Sequence, residues 1–413
     1  MKALIENIDF CRVCLGPNLN EIHSFGIVPL ADRLISDRNE HVASAPLTLL
    51  TCEKCKHIQI KENVNPDSLF KYDYPYLSSN IPEVVQHFFK VSQNIIYDFK
   101  VQNDSFIIEI AGNDGVFLKN FLKIGCRTLN VEPSLAPADI SKLNNINTIS
   151  SFFSQKVAEE IGNQFGRPLL VFAANVLAHV PNPNDFVAGL AILASEQTTI
   201  IIEVPHALPM IEQNLFDVIF HQHFSYFHLH ALNQLFNHHQ LFINKTEKVN
   251  TQGGSLRLYI SKNNLRIDHS VDEILNEEIQ SGILTENGLF AFINSITSIK
   301  TEVQNFLKSS SLNNKKVVGY GAPGKAATLL NYFEIKYPQL EYLVDISPTK
   351  QNRIFPFTNL YVYPVERLLE DIPDFIIILS WNYADSIIEK LKSFKELNHV
   401  RFILMHPIFR FLN

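Results

Sequence analysis

Four of the five cysteines fall in two Cys-x2-Cys pairs, Cys11/Cys14 and Cys52/Cys55. Paired knuckles of this kind set four thiolates tetrahedrally around zinc, and a site with four sulfur ligands keeps no open position, so the expected role is structural. The 37 residues between the knuckles exceed the spacing of a compact ribbon. A metal there would supply folding energy to a segment too small to build its own core. His57 is a competing ligand, and four reduced thiols without metal are the plain alternative. Cys126 stands alone and reads as a small hydrophobe.

Glu109-Ile-Ala-Gly112-Asn113-Asp114-Gly115 closes an apolar run of strand length. Glycines at such a turn let the backbone approach a ligand, and the acid Glu132, at the end of the next strand, has the position that accepts hydrogen bonds from ribose hydroxyls. The spacing suits NAD and S-adenosylmethionine alike. The pyrophosphate pattern GxGxxG is missing, however, and an acidic turn repels phosphate while it suits a cationic sulfonium and its amino group. S-adenosylmethionine is therefore the expected cofactor. Asn175 and His179, in Asn175-Val-Leu-Ala-His179-Val-Pro181, follow another strand and face the ligand crevice of an open α/β sheet. His179 is placed to orient a substrate, or is simply a solvated histidine at a helix start.

The stretch Phe216-Asp-Val-Ile-Phe220-His221-Gln222-His223-Phe224-Ser-Tyr-Phe227 sets two histidines at i, i+2 among aromatic residues. Histidine takes a proton near neutral pH, so His221 and His223 read as a general base or substrate contacts. A packed role and a metal site are the alternatives, the latter lacking a clear third ligand. Gly253-Gly254 is either a ligand-facing turn or a tight hairpin. Further on, Val318-Gly-Tyr320-Gly321-Ala-Pro-Gly324-Lys325 joins a strand to a helix through a glycine-rich turn, a pattern that suits an anion. Asp345 ends the next strand and is followed by Lys350 and Arg353, two cations for a diphosphate or for solvent. Trp381 and Asn382 follow a later strand at the crevice edge, where an aromatic ring stacks a base or caps the sheet.

These residues need a scaffold, and the pattern supplies one. Strand-like runs at 106–110, 128–131, 169–173 and 198–204 alternate with helical or loop segments. A second such series follows the polar stretch Leu312–Lys316, with strands at 317–320, 342–345, 375–379 and 401–405. Alternation of this kind predicts mostly parallel α/β sheets. Helical spacing covers 82–101, and one or two long helices cover 268–310. With 35 basic against 42 acidic residues, the formal charge of −7 leaves no global basic footprint for nucleic acid. The start of the chain has no secretory apolar core, and no run is long enough to span a membrane. A cytoplasmic protein is expected, with no obligate protein partner inferred.

The ordered set of motifs resembles the three-domain, S-adenosylmethionine-dependent C-methyltransferases that act on nucleotide-linked deoxysugars. It comprises the CxxC pairs, the Tyr-rich 72–79 segment, 109–115, 175–181, 216–227, GGSLR at 253–257, GYGAPGK at 319–325, Asp345 with Lys350, and LSWNY at 379–383. The resemblance implies a zinc module over 1–70. It implies a Rossmann-like class I methyltransferase domain over 71–300 and a second Rossmann-like domain for the nucleotide-sugar over 301–413. It implies Glu109, Gly112, Asn113, Asp114, Gly115, Glu132 and Asn175 as donor contacts. It also implies His223 as the base beside a 4-keto group and His179 as a substrate or enolate contact, with His221 and Gln222 in the same catalytic stretch as the base. Tyr74 or Tyr76 would line the cleft, and Tyr320, Gly321, Lys325, Asp345, Lys350, Arg353, Trp381 and Asn382 would hold the substrate. The chain departs from the family where Phe220 replaces a tyrosine and Gln222 a glutamate: the first cannot donate a hydrogen bond and the second cannot take a proton. Phe357 also stands where the family has glycine. Alternatives are a binding protein without turnover, a methyltransferase with another acceptor, and an NAD-dependent oxidoreductase.

Overall fold

The structure, a computed structural model, describes residues 5–71, 76–264 and 267–412. Its central sheet has seven strands. In chain order they are Phe106–Ile110, Arg127–Val131, Asn147–Ile149, Leu170–Ala174, Thr199–Pro205, Phe242–Val249 and Ser255–Ser261. Numbered one to seven, they lie in the order 3-2-1-4-5-7-6. The first five are parallel, and the seventh runs antiparallel to both its neighbours. The order reverses between Phe106–Ile110 and Leu170–Ala174, and a crevice for ligands opens at the carboxyl ends of strands where this happens. Helix Pro82–Asp98 begins on a proline and buries Phe88, Val91, Ser92 and Ile95, one face at i, i+3, i+4 and i+7. That face packs on Phe117 and Phe172, whose rings stack 4.0 Å apart.

A second seven-stranded sheet holds Val317–Tyr320 at its centre, between Leu343–Val344 and Phe375–Ile378, with antiparallel strands at both edges. The N-terminal part is a four-stranded antiparallel sheet. Leu19–Pro29, Ser44–Cys52 and Ile58–Ile60 are joined by Ser225–Tyr226, a short strand lent by the His-rich stretch. Helix Glu286–Leu312 opens on Thr285, whose side chain accepts from Gly288 N, and buries Leu289, Phe292, Ile296, Val303 and Leu307. The expected division at residue 300 falls inside this helix. Its apolar face shares one core with Phe25 and Leu47 of the first sheet, Phe216, and Val317 and Leu329 of the last unit.

One difference from the sequence reading has a physical cause. Strand Leu19–Pro29 escaped it because register shifts at Glu21/His23 and Ser24/Ile27, with Gly26 at positive φ, break the alternation of apolar and polar residues. The helical segment after Gly115 is only Leu118–Leu122, because turns flank it on both sides. No helix among the described residues is long and apolar enough to cross a membrane.

Candidate functional site

The sulfur of Cys11 lies 3.4 Å from that of Cys55, and Cys14 3.5 Å from Cys52, with all four within 4.8 Å of one another. These are not disulfide distances. A tetrahedron of zinc–sulfur bonds of about 2.3 Å spaces its ligands by about 3.8 Å, so the four sulfurs fit the ion with little movement. The hydrogen bond from Cys55 draws the Cys11 thiol down to about 6, while burial pushes Cys14 up to about 11. His57 is not a ligand: its buried ring turns away to Ser225 Oγ, 3.1 Å from Nε2. Between the first two cysteines, the buried guanidinium of Arg12 donates from Nη1 to the Pro181 carbonyl at 2.6 Å. Asn184 Nδ2 donates back to the carbonyls of Arg12 and Val13. The knuckle is thus seated on the segment that follows His179.

At the first parallel strand, Glu109 is buried and the backbone then turns through positive φ at Ala111, Asn113 and Gly115. Gly112 N donates to Asn130 Oδ1, Asn113 N to Glu132 Oε2 and Ser134 N to Glu132 Oε1. Glu109, Asp114 and Glu132 are all buried here, and no described cation forms an ion pair with any of them. Glu109 Oε2, Asp114 Oδ1 and Asn175 Oδ1 are buried acceptors with no hydrogen-bond partner. Burial, then the charges of Glu132 and Asp114, push Glu109 well above the usual carboxylate range, and burial raises Glu132. Such a cradle fits a cation carrying N–H donors, as the amino-acid end of S-adenosylmethionine does. The strap 76–79 crosses this turn: Asn113 Nδ2 donates to the Tyr76 carbonyl, and Ser78 N and Ser79 N donate to Asn113 and Asp114. Tyr74 lies outside the described residues. A Cβ on Gly112 would stand 2.6 Å from Glu109 Cδ and Asn130 Oδ1. Gly112→Ala is therefore expected to weaken binding of S-adenosylhomocysteine at least about tenfold in calorimetry, because the acids of the cradle must move apart; unchanged affinity would detach this turn from the donor.

His179 and His223 come together, ring centroids 4.6 Å apart. His179 Nδ1 lies 2.7 Å from the Gln222 carbonyl and His223 Nδ1 2.8 Å from that of Val218. A carbonyl oxygen only accepts, so both Nδ1 atoms carry the proton, and each neutral ring keeps a lone pair on Nε2. Neither Nε2 hydrogen-bonds to a described residue. Burial lowers His179 to about 4 and His223 well below the usual histidine range, so both rings are neutral at pH 7. The other two members of the expected set do not share this geometry. His221 is buried and donates from Nε2 to the Pro46 carbonyl, facing the first sheet. Gln222 touches His179 through its backbone. Phe220 lies against His223, centroids 4.3 Å apart, and offers no hydroxyl.

The structure redirects the anion reading of the C-terminal turn. Lys325 Nζ is 3.0 Å from Asp217 Oδ2, and Trp381 Nε1 donates to the same oxygen at 2.7 Å. His406 Nε2 lies 2.8 Å from Asp217 Oδ1. Asp345, expected to face substrate, accepts from Ala322 N and Ser347 N. A Cβ on Gly324 would meet the Asp32 carboxylate at 2.6 Å, so an acid of the chain already sits where a phosphate was expected. Gly321 packs on Ser380, Tyr320 is buried, and Arg353 and Asn382 are exposed. Burial alone would raise Asp217, but His406 and Lys325 hold it far below the usual carboxylate range. Sequence reading missed Asp217 and His406 as site residues. A cleft of about 700 Å³ runs beside His206, Gly253 and Gly254 but is lined by neither histidine of the pair nor the acids of the cradle, so it does not define the site.

Comparison with known proteins finds three matches in order along the chain. Residues 11–70 match a family model described as a zinc binding domain, 94–244 one described as a methyltransferase domain, and 250–407 one described as the C-methyltransferase C-terminal domain. The C-methyltransferase NovU of Streptomyces niveus is 29% identical over 98% of this chain and 97% of its own length. Magnesium protoporphyrin IX methyltransferase of Synechocystis PCC 6803, solved with bound S-adenosylmethionine, is 14% identical with a TM-score of 0.33, covering 43% of this chain and 79% of its own. The PH0226 protein of Pyrococcus horikoshii OT3 is 11% identical with a TM-score of 0.36, covering 45% and 94%.

Proposed function

We propose that the chain is a C-methyltransferase of the three-domain kind, with S-adenosylmethionine as donor and a structural zinc, and that it methylates a carbon beside the keto group of a nucleotide-linked deoxysugar; three family models matched in order and the likeness to NovU along the chain support this. The observation that carries this reading is the His179–His223 pair, which presents two unprotonated Nε2 atoms at the carboxyl edge of the sheet that holds the acidic cradle. When bound, S-adenosylmethionine supplies an electrophilic methyl group. The residues do the rest. A carbon becomes nucleophilic when a base removes the proton next to a carbonyl, and His223 Nε2 is that base. His179, with Nδ1 committed to Gln222, has only a lone pair to offer, so it accepts a hydrogen bond from a sugar hydroxyl. The developing enolate oxygen needs a donor instead. Burial keeps the Tyr76 phenol protonated, and the strap holds it beside the donor turn, so Tyr76 takes that role. Lys350, Arg353 and Asn382 remain for the nucleotide, now that Lys325 and Trp381 are engaged by Asp217. The working division is a module over 1–70, a donor unit over 71–300 and a C-terminal unit over 301–413, the last two joined through the long helix.

Incubation with labelled donor and a panel of 4-keto nucleotide-sugars tests the reaction: a new carbon–methyl bond is expected, and methylation at oxygen or nitrogen would overturn it. Phe220 favours a second reading, a weakened enzyme that binds ligands without transfer. It predicts exchange of the α-proton with deuterated water and no methylated product.

The depressed histidines set the pH dependence. The base works when neutral, so kcat/KM should stay level from pH 8 to about 6 and fall only at pH values below the ordinary histidine range near 6.5. Stability follows the same sign: below about 6.5 the unfolded chain binds protons that these rings refuse, and unfolding becomes easier as pH drops. An acid limb centred near pH 7 would argue against both rings as the base.

A further inference from the structure

We propose that Asp217 is a positioning residue for His223, gathering three side chains of the C-terminal unit onto the loop that carries the base. This rests on the reading of His223 as base. Asp217 is buried in the turn Phe216–Val218, and its two oxygens take up His406, Trp381 and Lys325. The next carbonyl, that of Val218, is the one that fixes the His223 ring. The carbonyl after it, of Ile219, accepts from Thr328 Oγ1 at 2.6 Å, a second tie to the same unit. Phe216 is wedged between Phe333 and His406. The first sheet grips the far side of the loop through His221 to Pro46 and through Ile60 N to the Phe224 carbonyl. The catalytic loop of the donor unit is therefore shaped by the two other units. Lys325 and Trp381 belong to this clamp: the cation sits 4.3 Å over the indole while both address one carboxylate oxygen.

The titratable groups facing His223 are His179, which disfavours its protonation, and Asp217, which favours it, with the Tyr226 ring alongside. Neutralising Asp217 should therefore lower the His223 pKa further as well as loosen its loop.

The test needs no acceptor, so it stands or falls apart from the proposed reaction. Hydrogen exchange by mass spectrometry on the full-length protein should show residues 216–224 exchanging at least about tenfold faster in Asp217→Asn, with 109–115 unchanged within about twofold. Lys325→Met and Trp381→Phe should loosen the same peptide by less, and the double variant D217N/K325M should be no faster than D217N alone. The pH profile of carbethoxylation at His223 should shift to lower pH in D217N. If D217N disturbs the whole chain, loss of protection at 109–115 reveals it, and K325M and W381F then decide. Full protection of 216–224 in those two variants, or additive effects in the double variant, would overturn the clamp and return Lys325 to the substrate. An unshifted His223 profile in a folded D217N would overturn the positioning role.

Discussion

Replacing His223 with alanine should cut methyl transfer by about 10²- to 10⁴-fold, the range a positioned general base supplies, while calorimetric affinity for S-adenosylhomocysteine changes by less than about threefold. The split is expected because base and donor cradle lie on different segments. His223 hangs on the Val218 carbonyl, whereas the cradle is closed by Asn113, Asn130 and Glu132, with no hydrogen bond among the described residues to the 216–224 loop. His179→Ala should instead raise KM more than it lowers kcat if, as proposed, its Nε2 accepts from substrate and takes no proton from carbon. The pair would exchange roles if His179→Ala gave the larger loss in kcat. Retention of full turnover in His223→Ala would remove that residue as base altogether.

Removing zinc should be the most damaging change to the fold. Protein purified without chelator should carry one zinc per chain, and Cys11→Ser should carry far less. Structural zinc sites bind with apparent energies of about 10–16 kcal/mol in isolated peptides, and that energy is folding energy. A loss of a third, about 3–5 kcal/mol, already equals what a single core truncation costs, about 2–5 kcal/mol, and a loss of the whole exceeds it. Because Arg12 stands between two ligands and donates to Pro181, the damage should reach the 177–184 segment, visible as faster hydrogen exchange there. A metal-free native protein whose unfolding midpoint ignores chelators would refute the site.

What the sequence could disclose depended on how local each arrangement was. The cysteine pairs and the acidic turn after Phe106–Ile110 were legible because spacing alone fixes them: knuckles need two residues between ligands, and a strand followed by glycines must open on the crevice. The neutral state of His179 and His223 was not legible, since it depends on carbonyls whose direction only the folded loop defines. Lys325 read as a cation for an anionic ligand because its partner is 108 positions earlier in the chain, and Asp217, though part of the 216–227 motif, carried no role, since nothing in Phe216-Asp217-Val218 announces His406, 189 residues away. Likewise Asp345 suggested a ligand contact while serving the backbone of its own turn.

That separation along the chain also sets an order of events during synthesis. The ribosome finishes the knuckles, the donor turn and the 216–224 loop long before it reaches residue 406. A nascent chain that stops short of that histidine holds Asp217 with its full set of partners not yet made. The loop that carries the base is thus among the last parts to take its final form. Its geometry therefore waits on residues at the far end of the chain, and it is the C-terminal unit that completes it.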